Sequence, residues 1–153
     1  MSTSWAIGVA NTTFNDTTLV SDDHAYVYRV RATSATFPSS AFSKPDAAST
    51  FTFDDDPIAA LIPVRATHVN RLRDAVDALR IAVGLASFAW SDDPVDNTVL
   101  VKGAHIDDLR SAGNEARTHI GIDGFVFTTD PTITPQSTLF KAAHIGELRT
   151  AVR

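Results

Sequence analysis

Three histidines sit in one recurring word: His68 in IPVRATHVNRLRDA, His105 in VLVKGAHIDDLRSA and His144 in TLFKAAHIGELRTA. Each follows an aspartate-bearing turn, DDDP at 54–57, SDDP at 91–94 and TTDP at 128–131. Imidazole near carboxylate suits metal ligation, catalytic proton transfer, or a buried hydrogen bond that fixes one tautomer. Spacing separates these. Zinc holds imidazole nitrogens at about 2.0–2.1 Å, whereas packed helices stand about 8–10 Å apart, so three equivalent histidines do not share one ion. The chain has no cysteine, which removes thiolate nucleophiles, disulfides and cysteine-ligated zinc, and it has no Gly-x-Ser-x-Gly and no His-Glu-x-x-His. Asp54, Asp55, Asp56, Asp92, Asp93 and Asp96 invite calcium, but the glycine-centred loop of an EF-hand is absent and the third turn keeps only Asp130. Carboxylates such as Asp55 and Asp93 form no unrepeated constellation suited to glycoside chemistry. The expectation is capping and packing, with no enzyme activity, no metal and no cofactor. His24 and His119 lie outside the recurring position and read as surface or packing residues.

The elements that hold these histidines have a period. Phe51, Phe88 and Phe125 are spaced evenly, as are Pro57, Pro94 and Pro131, at about 37 residues. This defines units 51–87, 88–124 and 125–153. Each unit reads as a short Phe-x-Phe or Phe-x-Trp strand, an Asp-Pro turn and one amphipathic helix. The first helix is expected over roughly 66–83, where Val69, Leu72, Val76, Leu79 and Val83 keep one face. The second is expected over roughly 103–120, and the third carries Ile145, Leu148 and Val152 to the end of the chain. Gly84 and Gly121 stand where helix C-caps belong, and Gly113 is a weak spot inside the second helix.

At about 100° per residue the leucine four after each histidine, Leu72, Leu109 or Leu148, lies about 40° away, on the same face. His68, His105 and His144 therefore point inward, each needing a backbone group or a turn aspartate as partner. Arg73, Arg110 and Arg149 lie about 140° away and form a basic stripe beside that face. The expectation for them is a solvated or inter-unit role, with Asp77 and Asp107 as local ion-pair partners. Linkers of about 20 residues outreach a helix of about 27 Å, so parallel, screw-related stacking of the units is the first expectation.

Composition bounds the function. With 44% hydrophobic residues, 20% charged residues and a net charge of -5, the chain suits a globular fold and argues against nucleic-acid binding. No run of about 18 apolar residues offers a membrane span.

Residues 1–50 are of another kind. In HAYVYRVRATS, Tyr26, Tyr28, Val30 and Ala32 alternate with Val27, Arg29 and Arg31, as in a strand with one buried face. Phe14, Asp16-Thr17 before a turn, Val20 ahead of Tyr26, the YVYRVRA run and SSAFSKPDAAST together resemble the C-terminal half of a fibronectin type III domain over roughly residues 5–50. That resemblance implies a partial antiparallel β-sandwich whose first three strands come from an upstream extension or from another chain. Residues 51–153, with Val/Ile-Lys/Arg-Ala-x-His-Ile-x-x-Leu-Arg-x-Ala between Phe-x-x-Asp-Pro segments, are similar to repeats that follow fibronectin type III domains in large secreted or surface proteins of bacteria. The resemblance implies an extracellular, non-catalytic appendage of an exported chain.

The fold class expected is therefore α+β in two parts, a fibronectin type III-like β region at 1–50 and a three-helix repeat region at 51–153. The function expected is a structural or interaction module serving assembly, attachment or spacing. Its partners would be a second copy or a strand-donating chain on the open β edges, where Tyr26 and Tyr28 lie. The alternative is a carbohydrate or surface-polymer binding module, with Trp90, Phe88, Phe125 and Phe127 as stacking platforms for a surface glycan.

Overall fold

The computed structural model describes residue 13 and residues 21–60, 62–96, 98, 100–134 and 137–153. The chain is α+β: strands β1 (Ala25–Tyr28) and β2 (Asp46–Ser49) precede helices α1 (Ala66–Ala82), α2 (Gly103–His119) and α3 (Ala142–Ala151). None of these helices is long and apolar enough to cross a membrane.

β1 and β2 form a two-stranded antiparallel sheet in which Tyr26 faces Ala48 and Tyr28 faces Asp46. Beyond Tyr28 the pairing continues through serines. Ser43 N–H donates to the Val30 carbonyl at 2.7 Å and Ser40 N–H to that of Ala32 at 3.0 Å, while the Ser43 and Ser40 hydroxyls accept from Val30 N–H and Ala32 N–H. The face that meets the helices is Ala25, Val27 and Ala47, packed on Leu79, Val83 and Ala116. Tyr26 and Tyr28 alternate with that face and form a ring ladder with His24. Phe14, Asp16, Thr17 and Val20, on which the sandwich expectation also rests, lie outside the described residues.

The helices follow the apolar period. Val69, Leu72, Val76, Ile106, Leu109, Ile145 and Leu148 are buried in one core with Phe51, Phe53, Val95 and Ile133, each aliphatic side chain contributing about 1.5–3 kcal/mol of burial. Ala75 and Ala112 are fully buried between the helices, where a larger side chain would hold the helices apart. Two of the three helices end on glycine in the left-handed region, Gly84 at φ 90° and Gly121 at φ 78°. Leu85 N–H then closes on the Arg80 carbonyl at 2.8 Å and Gly84 N–H on that of Ile81 at 3.0 Å; Ile122 and Gly121 do the same with Arg117 and Thr118. This doubly bonded ending satisfies carbonyls the helix leaves open.

One expectation is corrected. Phe51–Phe53, Phe88–Trp90 and Phe125–Phe127 are not strands. Their backbone groups bond to helix side chains: Phe88 N–H to Asp77, Phe125 N–H and carbonyl to Asn114, and the Thr52 carbonyl to Arg71. An alternating Phe-x-Phe pattern reports one buried side of a chain, and a helix surface buries it as well as a neighbouring strand does.

Candidate functional site

Each histidine occupies the third position of its helix, one turn after a basic residue with extended backbone, Arg65, Lys102 or Lys141. The ring reaches back. Nδ1 accepts the backbone N–H of that residue at 3.2 Å for His68 and 3.1 Å for His105 and His144. This is the place where glutamate or glutamine normally completes a capping box. A nitrogen that accepts from N–H carries no proton of its own, so the proton lies on Nε2. Nε2 in turn donates to one carboxylate oxygen: Asp55 at 3.3 Å, Asp92 at 3.2 Å and Asp130 at 3.1 Å. The rings are closed off from solvent, at 2%, 0% and 0% exposed.

The receiving aspartates all have left-handed backbone, φ 52°, 49° and 44°, a conformation in which aspartate is enriched among non-glycine residues. Lys102 Nζ bonds the same Asp92 oxygen at 2.7 Å, and Lys141 Nζ the same Asp130 oxygen at 2.6 Å. The lysine ammonium first, and the imidazole beside it, hold the Asp92 carboxyl below the usual carboxylate range. Lys141 does the same for Asp130, with His144 adding to it. Burial, then the nearby Arg110 guanidinium, pushes His144 below the ordinary imidazole value.

The geometry also corrects the register of the turn at 128–131. Prolines at equal spacing align Asp130 with Asp56 and Asp93, yet Asp130 makes the bonds of Asp55 and Asp92. Ile58, Val95 and Ile133, each three residues on, all pack on the core. The third turn thus has one extra residue before its aspartate, and Pro131 stands where the other turns have a second aspartate.

Of the two roles expected for Arg73, Arg110 and Arg149, the solvated stripe is not seen and the contact with a neighbouring segment is. Their side chains are 3%, 9% and 2% exposed. Each guanidinium donates from both terminal nitrogens to two successive turn carbonyls: Arg73 to Ser91 and Asp92, Arg110 to Thr129 and Asp130 at 2.7 and 2.9 Å, and Arg149 to Asp54 and Asp55 at 2.6 and 2.9 Å. Each also lies over an aromatic ring, Trp90, Phe127 and Phe53 respectively, 4.6–5.3 Å from the centroid. The α1 arginine thus holds the turn before α2, the α2 arginine the turn before α3, and the α3 arginine the turn before α1. A linear stack would leave the last helix and first turn apart. Here α3 returns to residues 54 and 55. Removal of the guanidinium from water weakens proton binding at Arg73 and Arg149, and the bidentate fork on a fixed pair of acceptors is the geometry arginine offers and lysine lacks.

Several working residues carried no recognisable signal. Three residues after each histidine stand Arg71, Asp108 and Glu147. Arg71 joins the hairpin to α1 through Asp23 and the Thr52 carbonyl, Asp108 accepts Ser91 N–H, and Glu147 accepts Thr128 N–H, its hydroxyl and Thr129 N–H. Nine after the histidine, Asp77 and Asn114 hold the next aromatic segment, so Asp77 is not the ion-pair partner of Arg73 expected from spacing. Only the position is shared; the residue type changes.

Chemically, these groups point at the protein itself. Among the described residues no three His, Asp or Glu side chains gather as a metal site requires. Comparison with known protein families, curated proteins and solved structures finds no match. Trp90, the strongest candidate for sugar stacking, has Arg73 5.3 Å from its ring centroid and the Phe88 ring at 4.8 Å, and its Nε1 donates to Asp77 at 2.9 Å. Beside it lies a shallow cavity of about 200 Å³ between Asn70, Asp74 and Asp93, but the Asn70 amide is spent on both backbone groups of Val95. Leu72, Leu109 and Leu148 are buried core residues. Tyr26 is half-buried and Tyr28 is exposed on the hairpin.

Proposed function

We propose that this chain is a non-catalytic structural and interaction module of an exported bacterial surface protein, acting in assembly, attachment or spacing. In this reading residues 51–153 are three copies of one unit closed into a ring, and residues 1–50 are a partial fibronectin type III-like sandwich whose strands β1 and β2 pack on the C-terminal ends of α1 and α2. One observation carries the reading. Both ring nitrogens of His68, His105 and His144, and both terminal nitrogens of Arg73, Arg110 and Arg149, are spent on turns and caps of the same chain. A residue kept three times for such bonds is kept for architecture.

The partner in this reading is another strand, supplied by a second copy or by a neighbouring domain, because a partial fibronectin type III-like sandwich is completed by strand addition. Light scattering at tens of micromolar tests this. Dimers or larger species are expected, and a clean monomer at every concentration removes self-association from the proposal.

A further inference from the structure

The three arginine seams differ in what reinforces them. Beside Arg73, Arg80 ties α1 to α2 through the Ala112 carbonyl and Glu115 at 2.6 Å, and beside Arg110, Arg117 ties α2 to α3 through the Ala151 carbonyl. The seam between α3 and the first turn is reinforced through one carboxylate. Asp56 faces Arg149 Nη1 at 3.5 Å and pairs with Arg153, which is half exposed. The hydrogen bonds of this seam also span 94–97 residues, whereas those of the other two seams span 18–35. The Arg153–Asp56 link, with both partners partly exposed, is weakened by salt, and because α3 is the last helix its departure from the first turn leaves the α1–α2 contacts in place.

Opening it leaves two complementary ends: α3 with Arg149 and Arg153, and the Asp54–Asp56 turn with Phe53. From this we propose that the seam is an interaction surface for a second copy of the chain, α3 of each copy seating on the Asp54–Asp56 turn of the other. The inference rests on the reading of residues 51–153 as a closed ring. The same bonds form within and between copies, which is the condition under which exchange of an element costs little.

Charge reversal at one pair tests it with full-length chains. Arg153→Glu and Asp56→Lys each place like charges at the seam within one chain. In an exchanged pair made of one of each, one seam joins the two new charges and the other joins the two original ones, so both attract. The variants, one labelled with ¹⁵N, are mixed in urea, refolded together and weighed by native mass spectrometry. Mixed dimers are expected to exceed same-variant dimers by about tenfold. Mixed and same-variant dimers in statistical proportion, or no dimers, overturn the proposal. The double variant, with both changes in one chain, tests the ring separately. At concentrations where it is monomeric, it recovers the urea midpoint lost by each single change if α3 closes on its own first turn. Failure to recover removes the ring, whereas recovery without mixed dimers removes exchange alone.

Discussion

Arg149 and Asp55 lie 94 residues apart in sequence, and the guanidinium of one donates to the main-chain carbonyl of the other at 2.9 Å. The bond repeats, between chain-distant elements, what Arg73 and Arg110 do with turns that follow them closely. A buried cation with fixed acceptors is costly to disturb, because its loss strands two carbonyls as well as removing a charge.

Arg149→Ala is therefore expected to lower unfolding stability by about 3 kcal/mol, from two hydrogen bonds by a charged donor at about 1.5 kcal/mol each. Arg149→Lys, which keeps the charge but loses the fork, is expected to recover less than half of that. Urea midpoints measure both. Equal stability of the lysine variant and the unchanged protein would show that charge alone holds the seam.

His105→Ala removes the back-bond to Lys102 N–H and the bond to Asp92, and leaves a void at a fully buried position. A loss of roughly 2–3 kcal/mol is expected. His105→Gln restores an acceptor at the third helical position and should be milder by about 1 kcal/mol. If alanine and glutamine are equally damaging in the same denaturation assay, the back-bond contributes nothing.

Stability should fall on acidification in two stages. His144 in the folded chain binds a proton less readily than an unfolded imidazole, so the stability of the neutral ring is full above about pH 6.5 and declines as the pH falls through it. Asp92 and Asp130 titrate below the usual carboxylate range. Their contribution is full above about pH 3.9 and is lost as the pH falls through the lower folded values. Urea midpoints measured from pH 8 to pH 3 should show both declines, and His144→Gln should flatten the first. A midpoint unchanged from pH 8 to pH 5 would contradict the burial of a neutral ring.

Two glycines of α2 should respond oppositely to alanine. A Cβ at Gly113 would lie 4.0 Å from Val76 Cγ2, an ordinary contact, so Gly113→Ala should stabilise by about 0.5–1 kcal/mol. At Gly103 it would lie 2.6 Å from Ile133 Cγ2, and Gly103→Ala should destabilise by about 1–3 kcal/mol through overpacking. Thermal denaturation of the two variants in parallel decides the signs.

What could be read from the residues was whatever writes itself in side-chain periodicity. The helices expected at 66–83 and 103–120 lie at Ala66–Ala82 and Gly103–His119, because leucine and valine at spacings of three and four leave few other ways to bury them. The return of α3 to residues 54 and 55 was not readable. Arg149 bonds main-chain carbonyls, and a carbonyl has no letter in the sequence. The angle that set Arg73, Arg110 and Arg149 beside the apolar face was sound, but a wheel drawn on an isolated helix does not show which neighbour covers its flank. The extra residue in the third turn was hidden by Pro131, whose even spacing imitates an unbroken register. Asp77 reads from spacing as an ion-pair partner and Asn114 gives no signal, because the two do one job with different side chains.

The central claim is that the recurring imidazoles are fastened inside the fold, and long-range proton–nitrogen NMR of the histidine rings near pH 8 tests it most directly. The account predicts that His68, His105 and His144 each carry their proton on Nε2, exchange it slowly with water, and keep the same nitrogen shifts when zinc or calcium is added. Mixed tautomers with fast exchange, or nitrogen shifts that move on addition of either metal, would contradict it.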